Sequence, residues 1–273
     1  MGEQYRGEAA FSPRRIFLLL KRDFVHGYSG VLIAMAAVGG VMLLFSFLSM
    51  LGGAGRPEYY TPFFAGLLFL GGFISTSGVF RELHQPGSGP FYLTLPGTLV
   101  EKLLSKLLVS GLGFAIATLL FMGGISAVSE LINRAVFGKG HGLFNPVAPD
   151  NLRAAATYLV VQSMYLLGSI WFRKVAFIKT ALAQVILLIG FAIIAGVTFR
   201  LVFGSLFTGS GPGSQMGNMF SFNFGSGAFI TQGSGALQRE AQVFSTILRV
   251  CFWALLAPFC WVASYFRLRE TEV

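Results

Sequence analysis

Charge is what this sequence has least of. Only 11% of its 273 residues are Asp, Glu, Lys or Arg, where a water-soluble domain usually carries about a quarter. Apolar residues make up 54% of the chain and mean hydropathy is +0.70. A soluble fold of this length has no means of hiding so much apolar surface, so the bilayer is its natural solvent. Cysteine is nearly absent. Cys251 and Cys260 share one apolar stretch and read as packing residues, which excludes a disulfide framework or a cysteine-built metal site. Acidic residues are outnumbered 11 to 20. The net charge of +9 forms no basic run or stripe, so no nucleic-acid partner is expected. Basic residues flank apolar segments instead, the pattern that orients a protein in a membrane.

Catalytic signatures are also missing. His26, His84 and His141 stand in three separate segments, with no zinc spacing. There is no nucleophile elbow. Gly138-Lys139 lacks the remainder of a phosphate-binding loop, so no ATP hydrolysis and no cofactor are expected in this chain. The apolar segments hold no Asp, Glu or Lys at their centres, which argues against proton coupling, though not against sodium coupling. The start MGEQYRGEAAFSPRR has no apolar signal core, so a cleaved leader is not expected, and Arg6 stands where a myristoylation start needs Ser or Thr.

What is present is a set of charge-free windows long enough for a hydrocarbon core of roughly 30 Å, about 20 helical residues. They predict an all-α integral membrane protein with six spans, near 31–51, 61–80, 106–128, 153–172, 178–200 and 247–266. The last is the shortest, with Arg249 at its edge. The six form one membrane domain, 31–268, between an N-terminal region 1–30 and a tail 269–273. With both termini in the cytoplasm, Lys and Arg favour the inside by about two to one. The cell membrane is the expected location.

The joints between spans have their own chemistry. Ser12-Pro13 is a helix start. Ile16, Phe17, Leu20 and Phe24 then form an apolar stripe, with Arg14, Arg15, Lys21 and Arg22 mostly away from it. This predicts an amphipathic helix along the interface, or else an extension of the first span. Thr98-Leu-Val-Glu101 has the capping-box pattern and follows Pro96-Gly97, so a new helix should begin at Thr98 and run into the third span. That region, exposed and polar-faced, reads as a docking element for a soluble partner, or as a simple connector. Asp150 or Asn151 is placed to cap the fourth span. WFRKVAF makes a tight hairpin between the fourth and fifth. Residues 201–238, dense in Gly and Ser, cannot form one spanning helix.

Glu82, the run Tyr92-Leu-Thr-Leu-Pro-Gly-Thr-Leu-Val-Glu-Lys102 and Lys106 resemble the permease subunits of ABC-2 type transporters. There, an acidic residue after the second span precedes a Leu-Pro-x-Ser/Thr-x-x-Glu-Lys segment leading into the third. The sharp motif covers about twenty residues, and the layout of spans agrees over nearly the whole chain. The resemblance implies a dimer of permeases, identical or related, on separate ATP-binding subunits that hold ATP and Mg. It implies ATP-driven export or extrusion of a substrate, with Glu82, Pro96, Gly97, Thr98, Glu101, Lys102 and Lys106 at or near the coupling surface; the Phe, Leu, Gly and Ser of the spans themselves suit a lipid-like, peptidic or amphipathic substrate. Gly97 departs from the bulkier residue of many members. The Gly/Ser-rich segment departs too, where relatives often have short external helices; Phe220, Phe222, Phe224 and Phe229 are candidates for the same job. A stand-alone carrier or channel, or a non-transporting scaffold, is the alternative.

Overall fold

A computed structural model describes residues 13–53, 59–84, 98–203, 221–223, 228–230, 246 and 250–272. The described chain is helical apart from its connecting turns, the loop 138–148 and one short pair of strands. Helix α1 spans Pro13–Leu51, α2 Tyr60–Ser77, α3 Leu99–Phe137, α4 Pro149–Trp171, α5 Ala176–Phe203 and α6 Val250–Glu270, with its last turns reaching Glu272. Five of these, α2, α3, α4, α6 and the Ile33–Leu51 part of α1, are long and apolar enough to cross a membrane, and this makes the chain a multi-pass membrane protein.

The packing is inverted relative to a soluble protein. Large apolar side chains face outward, including Ile33, Leu70, Leu120, Leu131, Leu182, Ile186 and Phe259. Helix α4 sits at the centre, with 67% of its spanning window buried, and packs against α2, α5 and α6. Its buried side includes Thr157, Tyr158, Gln162, Ser163, Tyr165 and Ser169. Lipid tails give apolar side chains little reason to turn inward, so association rests on close packing and interhelical hydrogen bonds. Two apolar clusters lie at different levels. One gathers Met42, Tyr60, Phe64, Leu68, Met122, Phe144 and Tyr158. The other joins Phe80, Leu103, Leu166, Ile170 and Leu268, tying the end of α2 to the start of α3, the end of α4 and the end of α6.

The structure changes several expectations. The amphipathic segment and the first span are one unbroken 39-residue helix, as the extension reading had it. Its first turns are not a separate lipid-lying element: Ile16 is buried while Phe17 and Leu18 face out beside Arg14 and Lys21. The reason is packing, since α1 runs alongside all of α3, from its first turns to its last. At the head of α4 the capping residue is Ala148, with Pro149 in the first helical position. Asp150 and Asn151 do not cap; Asn151 Nδ2 donates to the Asn145 carbonyl at 2.8 Å. The turn between α4 and α5 is as short as expected, Phe172–Val175, with Val175 in the left-handed region. The tail 269–273 continues α6 as helix to Glu272. Pro258 offers no N–H to Ala254, which accounts for the break at Leu255 within α6. In the Gly/Ser-rich segment, Ser221–Asn223 pairs antiparallel with Ala228–Ile230, and Phe222 faces Phe229 across the pair. That strand pair holds Phe222 and Phe229, two of the four candidates for the job of the relatives' short external helices; Phe220 and Phe224 lie outside the described residues.

Candidate functional site

Helix α3 carries polar side chains at three levels, and the candidate site is this rod with its contacts. At its base the capping box is formed. The Thr98 Oγ1 accepts the Glu101 N–H at 3.2 Å, and the Glu101 carboxylate accepts the Thr98 N–H at 2.9 Å. Two backbone donors that would otherwise be orphaned are thereby satisfied. From there the helix runs without a break for 39 residues.

The base is not an exposed polar face. Glu101 is 0% exposed, Lys102 4% and Lys106 8%. The second apolar cluster draws Leu103 inward with Leu99 and Leu107 beside it, and α1 and α6 close over the neighbouring faces. The outward residue of the first turn is Val100. Arg81, which opens the 3-10 turn Arg81–His84 ahead of this region, is exposed. The backbone of Glu82 belongs to that turn, but its side chain, like Pro96 and Gly97, lies outside the described residues.

The middle level is at Leu108–Gly113, where α3 widens into a π-turn. Helix α2 has a second π-turn at Leu67–Gly71. Such turns are rare and often mark functional places. Between them lies Tyr158 of α4. Its ring meets Phe69, Phe73 and Phe114. Its hydroxyl donates to the Ser110 carbonyl at 2.6 Å. Gln162, one turn on, donates Nε2 to the Ser110 Oγ at 2.8 Å, and that hydroxyl donates to the Lys106 carbonyl at 2.7 Å. The fully buried Thr76 of α2 lies close to the Tyr158 hydroxyl. Two glycines make the approach possible. A Cβ on Gly72 would overlap the Tyr158 ring, and one on Gly111 would stand 2.9 Å from Gln162 Oε1.

At the far level α3 is fastened to α1 and to its own following loop. Ser46 of α1 takes hydrogen bonds from Ser129 Oγ at 2.7 Å and from Asn133 Nδ2 at 2.9 Å. Glu130 is 4% exposed. Its carboxylate accepts the His141 N–H at 3.0 Å, the Gly142 N–H at 3.2 Å and Arg134 Nε at 3.1 Å. A charged acceptor with three donors is well compensated for its burial. Gly140 passes so close that any side chain there would overlap the carboxylate. The His141 ring stacks on Tyr59 with centroids 4.1 Å apart. Burial pushes the Tyr59 phenol above its ordinary value, with Tyr60 adding to the shift, so Tyr59 stays neutral near pH 7.

Of the residues singled out from sequence, Thr98, Glu101, Lys102 and Lys106 are brought together at the base of α3. Arg14, Phe17 and Lys21 lie on the outward side of α1, with Arg15 and Arg22 partly covered. Missed were Ser110, Tyr158 and Gln162 in the middle and Glu130 at the far end. In the sequence Glu130 stands just past the third charge-free window, where a lone acid reads as a boundary; the glycines of Gly138-Lys-Gly-His-Gly142 are the available sign of a loop folding back onto it. The Tyr158–Gln162 pair, four residues apart on one helical face, was a legible signal. Comparison with protein-family models and with curated protein sequences found no match to this chain.

Proposed function

We propose that the chain is the membrane-spanning subunit of an ATP-driven transporter of the ABC-2 permease kind. In this reading α5, at 28 residues, joins the five helices above to give six spans. Both termini are cytoplasmic, and the base of α3 faces the cytoplasm of a prokaryotic cell. ATP and Mg reside in separate ATP-binding subunits, and a second permease copy or homologue completes the dimer. The substrate class is lipid-like, peptidic or amphipathic, in keeping with spans lined by Phe, Leu, Gly and Ser.

One observation supports the reading most. The segment that resembles the family's coupling motif opens a single helix, and that helix continues for 39 residues to the opposite end of the molecule. A force on the residues before Thr98 is therefore delivered to a continuous helix that touches α1, α2, α4 and α6. Because Glu101, Lys102 and Lys106 are buried, contact with an ATPase falls on Val100, Arg81 and the residues between them.

The test is site-specific photo-crosslinking in the native membrane. A crosslinker at Val100 should capture a nucleotide-binding protein whose ATPase activity rises when it is reconstituted with this chain. A crosslinker at Leu131, exposed at the other end of α3, should not. Substrate flux in liposomes that hold this chain alone, without nucleotide, would refute the reading and favour a stand-alone carrier.

A further inference from the structure

The π-turn in α3 leaves one carbonyl to be shared. In an α-helix the Phe114 N–H would bond the Ser110 carbonyl, four residues back. Here it reaches Val109 and Gly111 instead. The Tyr158 hydroxyl holds the Ser110 carbonyl at 2.6 Å. With no bulk water inside a bilayer, a buried carbonyl needs one donor or another. Ser110 has two within reach, Tyr158 from α4 and Phe114 from its own helix.

A second feature of the sequence bears on the same point. The base of α3 reads Leu99-Val100-Glu-Lys-Leu103-Leu104-Ser-Lys-Leu107-Leu108. Apolar residues come in adjacent pairs, four residues apart. The first of each pair, Leu99, Leu103 and Leu107, packs on the cluster of Phe80, Leu166, Ile170 and Leu268. The second of each pair, Val100, Leu104 and Leu108, lies beside it and is more open in the first two cases. A π-turn holds one residue more than the α-turn it replaces. If it closed with the far part of α3 fixed, each base residue would give up its place to the residue after it. Val100, Leu104 and Leu108 would then fill the places of Leu99, Leu103 and Leu107. The pairs make the apolar seam valid in both registers. Glu101 would move to the outward place that Val100 holds. Ser46, Ser129, Asn133 and the Glu130 clamp fasten the far part, so the base is the end that moves.

We propose that the Ser110 carbonyl is a two-position latch that sets the register of the base of α3, and that Tyr158 is the residue that sets it. With Tyr158 bound, the π-turn persists and Glu101 is buried. With Tyr158 withdrawn, Phe114 takes the carbonyl, the turn becomes α-helical, and the Leu99–Leu107 segment turns by about 100° and advances by about 1.5 Å. Tyr158 is a positioning residue here, and the latch does not depend on an ATPase being the partner at the base.

The experiment follows thiol labelling of the full chain in lipid nanodiscs, with Cys251→Ser and Cys260→Ala to remove the native thiols. In the parent, Val100→Cys should label rapidly and Glu101→Cys slowly. Adding Tyr158→Phe should slow the first and speed the second severalfold. Deleting Leu112 removes the extra residue of the turn while keeping both flanking registers, so there the parent pattern should hold and Tyr158→Phe should change nothing. If Tyr158→Phe alone fails to assemble, the Leu112 deletion should rescue it, because the shared carbonyl no longer exists. Unchanged labelling in Tyr158→Phe, an equal change with and without the deletion, or failure to assemble in both backgrounds would each overturn the latch.

Discussion

Helices α4 and α5 are neighbours in sequence, joined by Phe172–Val175, and opposites in use. Helix α4 is buried and hydroxyl-rich, and it meets α3 through Tyr158 and Gln162. Helix α5 presents Ile178, Leu182, Val185, Ile186 and Leu187 outward, and its inward contact is narrow. Where they touch, Gly168 of α4 receives Thr180 of α5 so closely that no Cβ would fit. In water the more apolar helix would be the buried one. In lipid the cost of burial falls on unpaired polar groups and not on exposed leucines. Of the two, the helix with more polar pairing to do therefore takes the centre, and the one with less takes the rim. Buried polarity thus marks where the helices must keep a defined arrangement, and α3 shares that character with α4.

The comparison is broken most severely by filling the space against α4. Gly72→Leu or Gly168→Leu should each abolish a stable fold, because the Tyr158 ring and the Thr180 side chain occupy the added volume and neither backbone can retreat. Detergent-solubilised protein should lose its monodisperse peak in size-exclusion chromatography. A folded Gly72→Leu protein would mean that Tyr158 does not sit against α2.

Next in size is the removal of the buried charge at the far end of α3. Glu130→Leu leaves the His141 and Gly142 N–H groups without their acceptor, and the buried orphan at His141 alone costs about 1–3 kcal/mol. We expect a lower midpoint in thermal unfolding and faster proteolysis between Gly138 and Val147. Glu130→Gln keeps an acceptor oxygen and should lose less. Equal effects from the two would show that packing, not hydrogen bonding, holds the loop.

The capping box ranks third. Thr98→Ala removes the side-chain acceptor for the Glu101 N–H and should cost about 1 kcal/mol. Backbone hydrogen exchange should rise over Leu99–Leu103 and stay unchanged beyond the π-turn at Leu108. A rise along the whole of α3 would show that the two segments open as one unit.

These effects sort by how readable each feature is from sequence. The start of α3 was legible because capping is a local pattern: Thr98 and Glu101 are three residues apart and their hydrogen bonds join the same two residues. The spanning helices were legible because charge-free length is a local property as well. The burial of Glu101, Lys102 and Lys106 was not, since it depends on α1 and α6, which are distant in sequence. The π-turns were hidden for a related reason. Nothing in LLFLG or LVSGLG departs from an ordinary apolar helix, and the turn in α3 becomes visible only when Tyr158 is found on the carbonyl that the helix has released. The Leu pairs of the base were in plain sight, but they gain meaning only beside that turn.

The smallest expected effect lies on the rim. Ile186→Ala removes a large side chain from α5 that is 61% exposed from the protein, and on the proposal that α5 is a sixth span its neighbours are lipid tails. In a soluble core, Ile→Ala would cost about 2–5 kcal/mol through lost burial and the cavity left behind. With α5 in the bilayer, lipid fills the space, and neither the folded nor the unfolded-in-membrane chain exchanges apolar surface for water. Unfolding by chemical denaturant in mixed micelles should therefore give a midpoint close to the parent's. A loss as large as that of Glu130→Leu would place Ile186 against protein, and the rim of α5 would then be a surface covered by another chain.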